Sequence, residues 1–273
     1  MMSNKPYSVL MSVYHGDRAE WLALALESMA QQSLPPGEIV LVIDGPIDQG
    51  LQNSIRDFDT RYPGLLLVKA LDRNGGLGPA LNEGLAMCQY DFIVRMDADD
   101  ISDLNRCEEE IRLLNDGYDM VGCNVWEFSD NPMRCDALRI LPQTSNEIEA
   151  FAKKRSPFAH PAFATKKECL LAVGGYRNIR FAEDYDLFIR LLKRGYRGFN
   201  IQQALVRMRV NADAYMRRGG PSYLKDMISF NFLQLQEGWY SPWDFVVRTC
   251  ANSTVALLPN SVRDFIYKKM LRR

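Results

Sequence analysis

YSVLMSVYHGDRAEWLALALESMAQQSLPPGEIVLVID, residues 7–44, is the stretch on which the fold class turns. Tyr7 to Val13 is a β-like apolar run. Asp17 and Glu20 then stand at capping-box spacing, and Leu22, Leu26 and Met29 recur at helical intervals until Pro35, Pro36 and Gly37 stop the pattern. Glu38 to Asp44 returns to a strand-like run. Strand, helix and strand in this order are the unit of a mostly parallel sheet covered by helices.

Outward from that unit the alternation continues. Leu51, Ile55 and Phe58 mark a second helix and Leu65 to Leu71 a third strand; Pro79 suits the first turn of a helix running through Gly84 and Leu85. Asp91 to Met96 is a fourth strand, Leu104, Cys107, Ile111 and Leu114 a further helix, and Asp119 to Phe128 a fifth strand. The second half is less regular. A short helix lies within Phe163 to Gly175, a clear one spans Asp184 to Lys193, and Val206, Met208 and Val210 alternate with arginines as in a strand. From Pro221 the pattern is helical and aromatic. The expected organisation is an α/β domain over 1–220, with a first half at 1–128 and a second at 129–220, followed by a helical extension at 221–273.

The chain has 273 residues, 47% apolar and 25% charged, with 33 Lys and Arg against 34 Asp and Glu. This balance argues against disorder and against a dominant nucleic-acid-binding role. A chain of this size buries roughly 75% of its unfolded surface, so it needs no disulfide. The six cysteines are scattered without CxxC or zinc-ligand spacing, which fits reduced thiols in a cytoplasmic compartment. No apolar run is long enough for a signal peptide or a membrane span.

Parallel α/β sheets carry ligand sites at the carboxyl ends of their strands. The groups there are Tyr14-His15-Gly16-Asp17, Asp44-Gly45-Pro46, Asp72 to Gly76, and Asp97-Ala98-Asp99-Asp100. A G-x-G-x-x-G fingerprint is absent after the first strand, which disfavours nicotinamide or flavin chemistry. In Asp97-Ala98-Asp99, residues two apart at a strand end project to one side, so two carboxylates can face one hard cation such as Mg2+ or Mn2+. The competing reading is that Asp99, Asp100, Ser102 and Asp103 cap the following helix.

Ser8 to Tyr14, Glu38 to Gly45, Asn74-Gly-Gly-Leu-Gly78 with Ala80-Leu-Asn82, Met96-Asp-Ala-Asp-Asp100 and Glu183-Asp184-Tyr-Asp186-Leu resemble, in order, the successive motifs of glycosyltransferase family 2. The resemblance covers roughly residues 7 to 215. It implies a GT-A fold, a nucleotide-sugar donor (usually a UDP-sugar), a divalent metal, and transfer with inversion at the anomeric carbon. By it Asp97 and Asp99 fall on the family's DXD metal motif, with Ala98 between them and Asp100 a further candidate. Ser12, Tyr14, Asp44, Asn74, Gly75, Asp97 and Ala98 would contact the nucleotide-sugar. Asp44-Gly45-Pro46 is also good turn chemistry by itself. Asp184 would be the base that takes the acceptor's proton, with Glu183 its competitor and a helix-capping role the alternative. His160 is either a structural residue or a neighbour of the leaving phosphate. Arg217 and Arg218 would either close over a diphosphate or sit in a solvated basic turn.

These readings converge on an enzyme that adds one sugar in bacterial surface-polysaccharide assembly, such as an O-antigen, capsule or exopolysaccharide. Its acceptor would be a polyprenyl-diphosphate-linked saccharide at the cytoplasmic face of the inner membrane. Neither a Q-x-x-R-W motif nor membrane helices of the processive synthases are present. The alternatives are a sugar nucleotidyltransferase and a non-catalytic nucleotide-sugar-binding scaffold. Oligomerisation is left open. From Trp239 on, aromatic and apolar residues are followed by five basic residues and one acid among the last eleven, a pattern expected of peripheral membrane contact, the alternative being helices that pack on the catalytic domain or on a second copy of the chain.

Overall fold

The computed structural model describes residues 6–210 and 220–258. Its first half is a regular α/β succession: β1 (Tyr7–Val13), α1 (Ala19–Ala30), β2 (Glu38–Ile43), α2 (Gln49–Arg61), β3 (Leu66–Ala70), α3 (Leu77–Met87) and β4 (Phe92–Arg95). The four strands pair in parallel in the order β3-β2-β1-β4. β1 and β2 read as nearly unbroken apolar runs because helices cover both faces, which leaves their residues almost wholly buried.

The sheet then changes direction. β5 (Ile101–Ser102), α4 (Arg106–Asn115), β6 (Met120–Phe128), β7 (Ala137–Arg139), α5 (Ser145–Ala152), a 3-10 turn at His160–Ala162, β8 (Phe163–Lys166), α6 (Lys167–Ala172), α7 (Glu183–Lys193) and β9 (Gly198–Arg209) follow. The order runs on from β4 through β8, β6 and β9 to β5, with β7 on β6. β8 is antiparallel to both β4 and β6, whereas β6 and β9 are parallel. The fifth long strand therefore does not abut β4; the four-residue β8 lies between them, too short to carry a periodic signal.

Two local expectations fail. Asp17 does not cap α1: the N-cap is Arg18, without a side-chain hydrogen bond, and Asp17 Oδ2 instead accepts from the Tyr14 amide at 2.9 Å. Nor do the acids after β4 cap a helix. Ile101–Ser102 pairs with β9, α4 begins at Asn105 without a side-chain cap, and Asp103 pairs with Arg207. Tertiary partners outcompete local capping at both places.

The C-terminal helices α8 (Gly220–Gln236) and α9 (Pro242–Leu257) pack against each other. Met227, Phe230, Trp239 and Tyr240 form one buried cluster with Ala152, Ala182, Tyr185 and Ile189. Trp239 and Tyr240, at first sight part of an aromatic interfacial tail, are thus core residues that close over α5 and α7. Lys153 sits 3.9 Å from the Trp239 ring centroid and also donates to its carbonyl. Trp239→Ala is expected to destabilise the protein by about 3–5 kcal/mol, as for other large-to-small core changes. Urea unfolding checks this; an unchanged midpoint would mean that the cluster is not part of the core.

Candidate active site

The carboxyl ends of β1, β2 and β4 converge. Leu10 of β1 lies opposite Arg95 of β4, so Ser12 and Tyr14 leave the sheet beside the acidic segment that follows Arg95. The Tyr14 ring lies across Gly16, where a Cβ would stand 2.5 Å from ring atoms, and meets His15 edge-on at 5.2 Å. Ser12 and Tyr14 are half-buried.

At the end of β2, buried Asp44 anchors the glycine-rich loop. Its Oδ1 accepts from the Gly75 amide at 2.7 Å and its Oδ2 from the Gly76 amide at 3.0 Å, while Asn74 Nδ2 donates to its carbonyl at 3.1 Å. Gly45 has φ of 84°, and a Cβ there would lie 2.5 Å from the Asn74 nitrogen. Asp44, Asn74 and Gly75 are therefore held together as one unit.

Beyond β4, carboxylate oxygens of Asp97, Asp99 and Asp100 lie within 4.8 Å of one another, while Ala98 is buried between them. Burial, reinforced by Asp97 and Asp17, pushes Asp99 up to about 7; burial, with Asp99 and Asp97, raises Asp100 well above the carboxylate range. Asp100 Oδ1 accepts from the Arg209 amide at 2.6 Å, and its buried Oδ2 has no partner among the described residues. Arg209 stacks between Trp21 and Phe128, 4.2 and 4.5 Å from their centroids, and its Nε donates to the Asp99 carbonyl. Asp17, raised to about 6 chiefly by burial, joins the same group. Crowded oxygen donors with an unpartnered buried atom suit a hard divalent cation such as Mg2+ or Mn2+, and Asp97, Asp99 and Asp100 are the residues that would hold it.

The first turn of α7 comes within electrostatic reach of this cluster, since Asp97 acts on Glu183. Asp184 Oδ1 accepts from the Tyr185 amide at 2.7 Å, so it occupies the positive end of the helix. Glu183 is raised to about 7 by burial and then by Asp184, and both Arg95 and Asp97 act on it. His160 Nε2 lies 3.0 Å from the Tyr176 hydroxyl. Burial, with Arg95 adding to it, holds His160 well below its ordinary range, so the imidazole is neutral. Its hydrogen-bond partner is Tyr176. Arg217 and Arg218 lie outside the described residues.

The group that residue-by-residue reading missed is Arg95. It is 1% exposed, ion-pairs with Asp97, and its Nε has no partner among the described residues. Its field reaches Asp17, Asp99, Asp100, His160, Tyr176 and Glu183. The available signal was a lone arginine inside an apolar strand, which is seldom buried without a purpose.

Comparison with known proteins agrees with this geometry. The profile described as "Glycosyl transferase family 2" matches residues 8–181. An Escherichia coli UDP-Gal:alpha-D-GlcNAc-diphosphoundecaprenol beta-1,3-galactosyltransferase is 38% identical over 98% of this chain and 97% of its own. The amylovoran biosynthesis glycosyltransferase AmsE of Erwinia amylovora is 34% identical over 96% of this chain and 98% of its own. Among solved structures, a Pyrobaculum calidifontis mannosyltransferase in complex with GDP-Man and Mn2+ superposes with a TM-score of 0.67 at 18% identity, covering 96% of this chain and 72% of that one. That likeness carries the fold alone. The chain belongs to glycosyl transferase family 2 and is a glycosyltransferase of GT-A fold.

Proposed function

We propose that the enzyme moves one hexose-type sugar from a UDP-sugar to a saccharide carried on a polyprenyl diphosphate, with inversion, during assembly of a bacterial surface polysaccharide. The observation that carries this reading is that one buried arginine, Arg95, serves both acidic groups: it pairs with Asp97 and acts on Asp99 and Asp100 of the cluster, and it acts on Glu183 at the start of α7. The first group suits a metal-bound diphosphate and the second a proton acceptor. The relative at 38% identity is named for UDP-Gal and a diphosphoundecaprenol acceptor, which supports the same donor and acceptor classes here. A nucleotidyltransferase has no support from the family match, and the intact carboxylates argue against a scaffold.

Ser12, Tyr14, Asp44, Asn74 and Gly75 line the end of the sheet where the nucleotide would rest, and Asp97 and Asp99 would hold Mn2+ or Mg2+. When bound, such a cation offsets the charge that builds on the departing diphosphate. Asp184 then takes the proton of the acceptor hydroxyl as its oxygen bonds to the anomeric carbon and the bond to the diphosphate breaks. No covalent enzyme intermediate is needed. Glu183, its neighbour in the chain, is the competing acceptor of that proton.

Contact with the bilayer goes with a lipid-linked acceptor. Among the described residues, no helix is long and apolar enough to cross a membrane. α9 nevertheless exposes Trp243, Val246 and Val247 at helical spacing, beside Ile228 and Phe232 of α8. Arg263, Lys268, Lys269, Arg272 and Arg273 follow in the sequence. An apolar stripe followed in the sequence by basic residues suits an anionic membrane surface, and the location that goes with it is the cytoplasmic face of the inner membrane.

UDP-Gal is the first donor to assay. Asp99→Ala, or chelator with the wild type, is expected to abolish both transfer and tight donor binding, whereas Asp184→Asn should keep donor binding and lower turnover roughly 100-fold or more. Undiminished transfer in excess EDTA would remove the metal from the mechanism. Burial and Asp184 hold Glu183 to about 7, so a step near pH 7 is expected in kcat/KM as this carboxylate beside the base gains its charge. Glu183→Gln should remove that step; an unchanged profile would separate Glu183 from the reaction. Full-length protein should float with anionic liposomes in a salt-sensitive way, and a Trp243→Ser, Val247→Ser variant should float less. Equal flotation of the two would dismiss the stripe.

A further inference from the structure

The segment 173–177, between α6 and α7, has few free backbone groups although it belongs to no strand or long helix. The Gly174 and Gly175 amides close the end of α6 on Leu171 and Leu170 at 3.0 and 2.8 Å, and Gly175 has φ of 67°. Two side chains then grip it from opposite sides. From α7, Arg190 donates to the Val173 carbonyl at 2.6 Å and to the Gly175 carbonyl at 2.8 Å, and its Nε is held by buried Asp186 at 2.7 Å. From α3, Asn82 pairs with Tyr176 as a second strand would: Oδ1 accepts from its amide at 2.8 Å and Nδ2 donates to its carbonyl at 2.7 Å.

The contact with α3 extends one turn back. A Cβ at Gly78 would stand 2.9 Å from the Arg177 carbonyl, and one at Gly175 would stand 2.3 Å from Asn82 Oδ1. Gly78 and Asn82 share a helix face, and α3 starts directly after the loop that Asp44 holds. The same segment carries Tyr176, bonded to His160, and leads into Glu183 and Asp184. One side of the segment is thus fixed to the loop assigned to the donor and the other to the helix assigned to the base.

We propose that Asn82 is a positioning residue for transfer: by pairing with the Tyr176 backbone it sets the spacing between the Asp44–Gly76 unit and the carboxylates at the start of α7. The proposal rests on the reading of Asp184 and Glu183 as the acceptor-side base. Asn82 itself touches neither reactant. Its contribution is registry, and a shift of about 1 Å between reacting groups can cost on the order of 100-fold in rate.

The test uses full-length Asn82→Ala and the milder Asn82→Asp, which keeps the oxygen that accepts from Tyr176 but loses the amide donor. UDP-sugar affinity, transfer, donor hydrolysis and thermal midpoint are measured for each. The expected result for Asn82→Ala is a fall in transfer kcat of roughly 10-fold or more, donor affinity within about threefold of wild type, and a raised ratio of hydrolysis to transfer. Asn82→Asp should fall between. In an Asp184→Asn background Asn82→Ala should cost less than about twofold, because placement of an absent base no longer matters; a purely structural role would multiply through unchanged. Donor affinity and transfer lost in equal proportion, or full additivity in the double variant, would overturn the proposal. If Asp184→Asn alone leaves transfer intact, the base assignment fails, and the split between affinity and turnover still decides the role of Asn82.

Discussion

Carboxylates repel one another, and this molecule gathers Asp17, Asp97, Asp99, Asp100, Glu183 and Asp184 around one cleft. Arg95 is the charge that makes the gathering tolerable: a guanidinium at the end of β4, almost wholly buried, paired with Asp97 and felt by most of the others. Its rigid, permanently charged fork suits a site that must stay cationic at every working pH. The strand fixes it, since Arg95 lies opposite Leu10 and its carbonyl accepts from buried Arg106 at 2.9 Å. Arg106 is in turn neutralised by Glu110 one turn along α4. The acidic site is therefore seated on a buried ionic layer, and breaking such a layer by removing one partner costs several times what an exposed pair would.

Around that centre the architecture separates tasks. The parallel half of the sheet delivers four loops to one edge, and Asp44 ties two of them together. The antiparallel half brings in β8 and, behind it, the turn that holds His160 and Tyr176. A two-residue strand, β5, docks the chain after Asp100 onto β9, so the Arg209 amide meets Asp100 directly. The acids are thus held by backbone pairing on both flanks, which leaves little freedom for the cluster to relax by spreading.

Much of this was legible in the chain. Residues 7–44 contain the βαβ unit outright, and the acidic triplet advertises itself by falling at a strand end. What stayed hidden has a common cause. Local patterns show which element a segment forms, not which distant segment meets it. Asn82 and Tyr176 are 94 positions apart, and neither Asn82 nor the Gly174-Gly175 turn signals the other. Asp17 has the spacing of a cap and serves the Tyr14 amide instead. β8 is four residues long and is defined only by its neighbours. Trp239 and Tyr240 look like an interfacial pair until Tyr185, Ala152 and Lys153 are found beneath them. By contrast the Thr144–Glu147 capping box of α5 is purely local and could have been read directly.

The closing of α8 and the Trp239-Tyr240 turn over α7 also orders events during synthesis. The α/β core through β4 can assemble while later residues are still being added, since its strands pair only with earlier ones and with β8. The outer wall of α7 cannot. Its buried face, Tyr185 and Ile189, waits for residues 227–240, which a ribosome adds roughly 2–10 s later at ordinary elongation rates. A nascent chain thus has the loops that follow β1 to β4 before the helix bearing Glu183 and Asp184 is seated. The seating of α7 comes late, after residues 227–240 have been added.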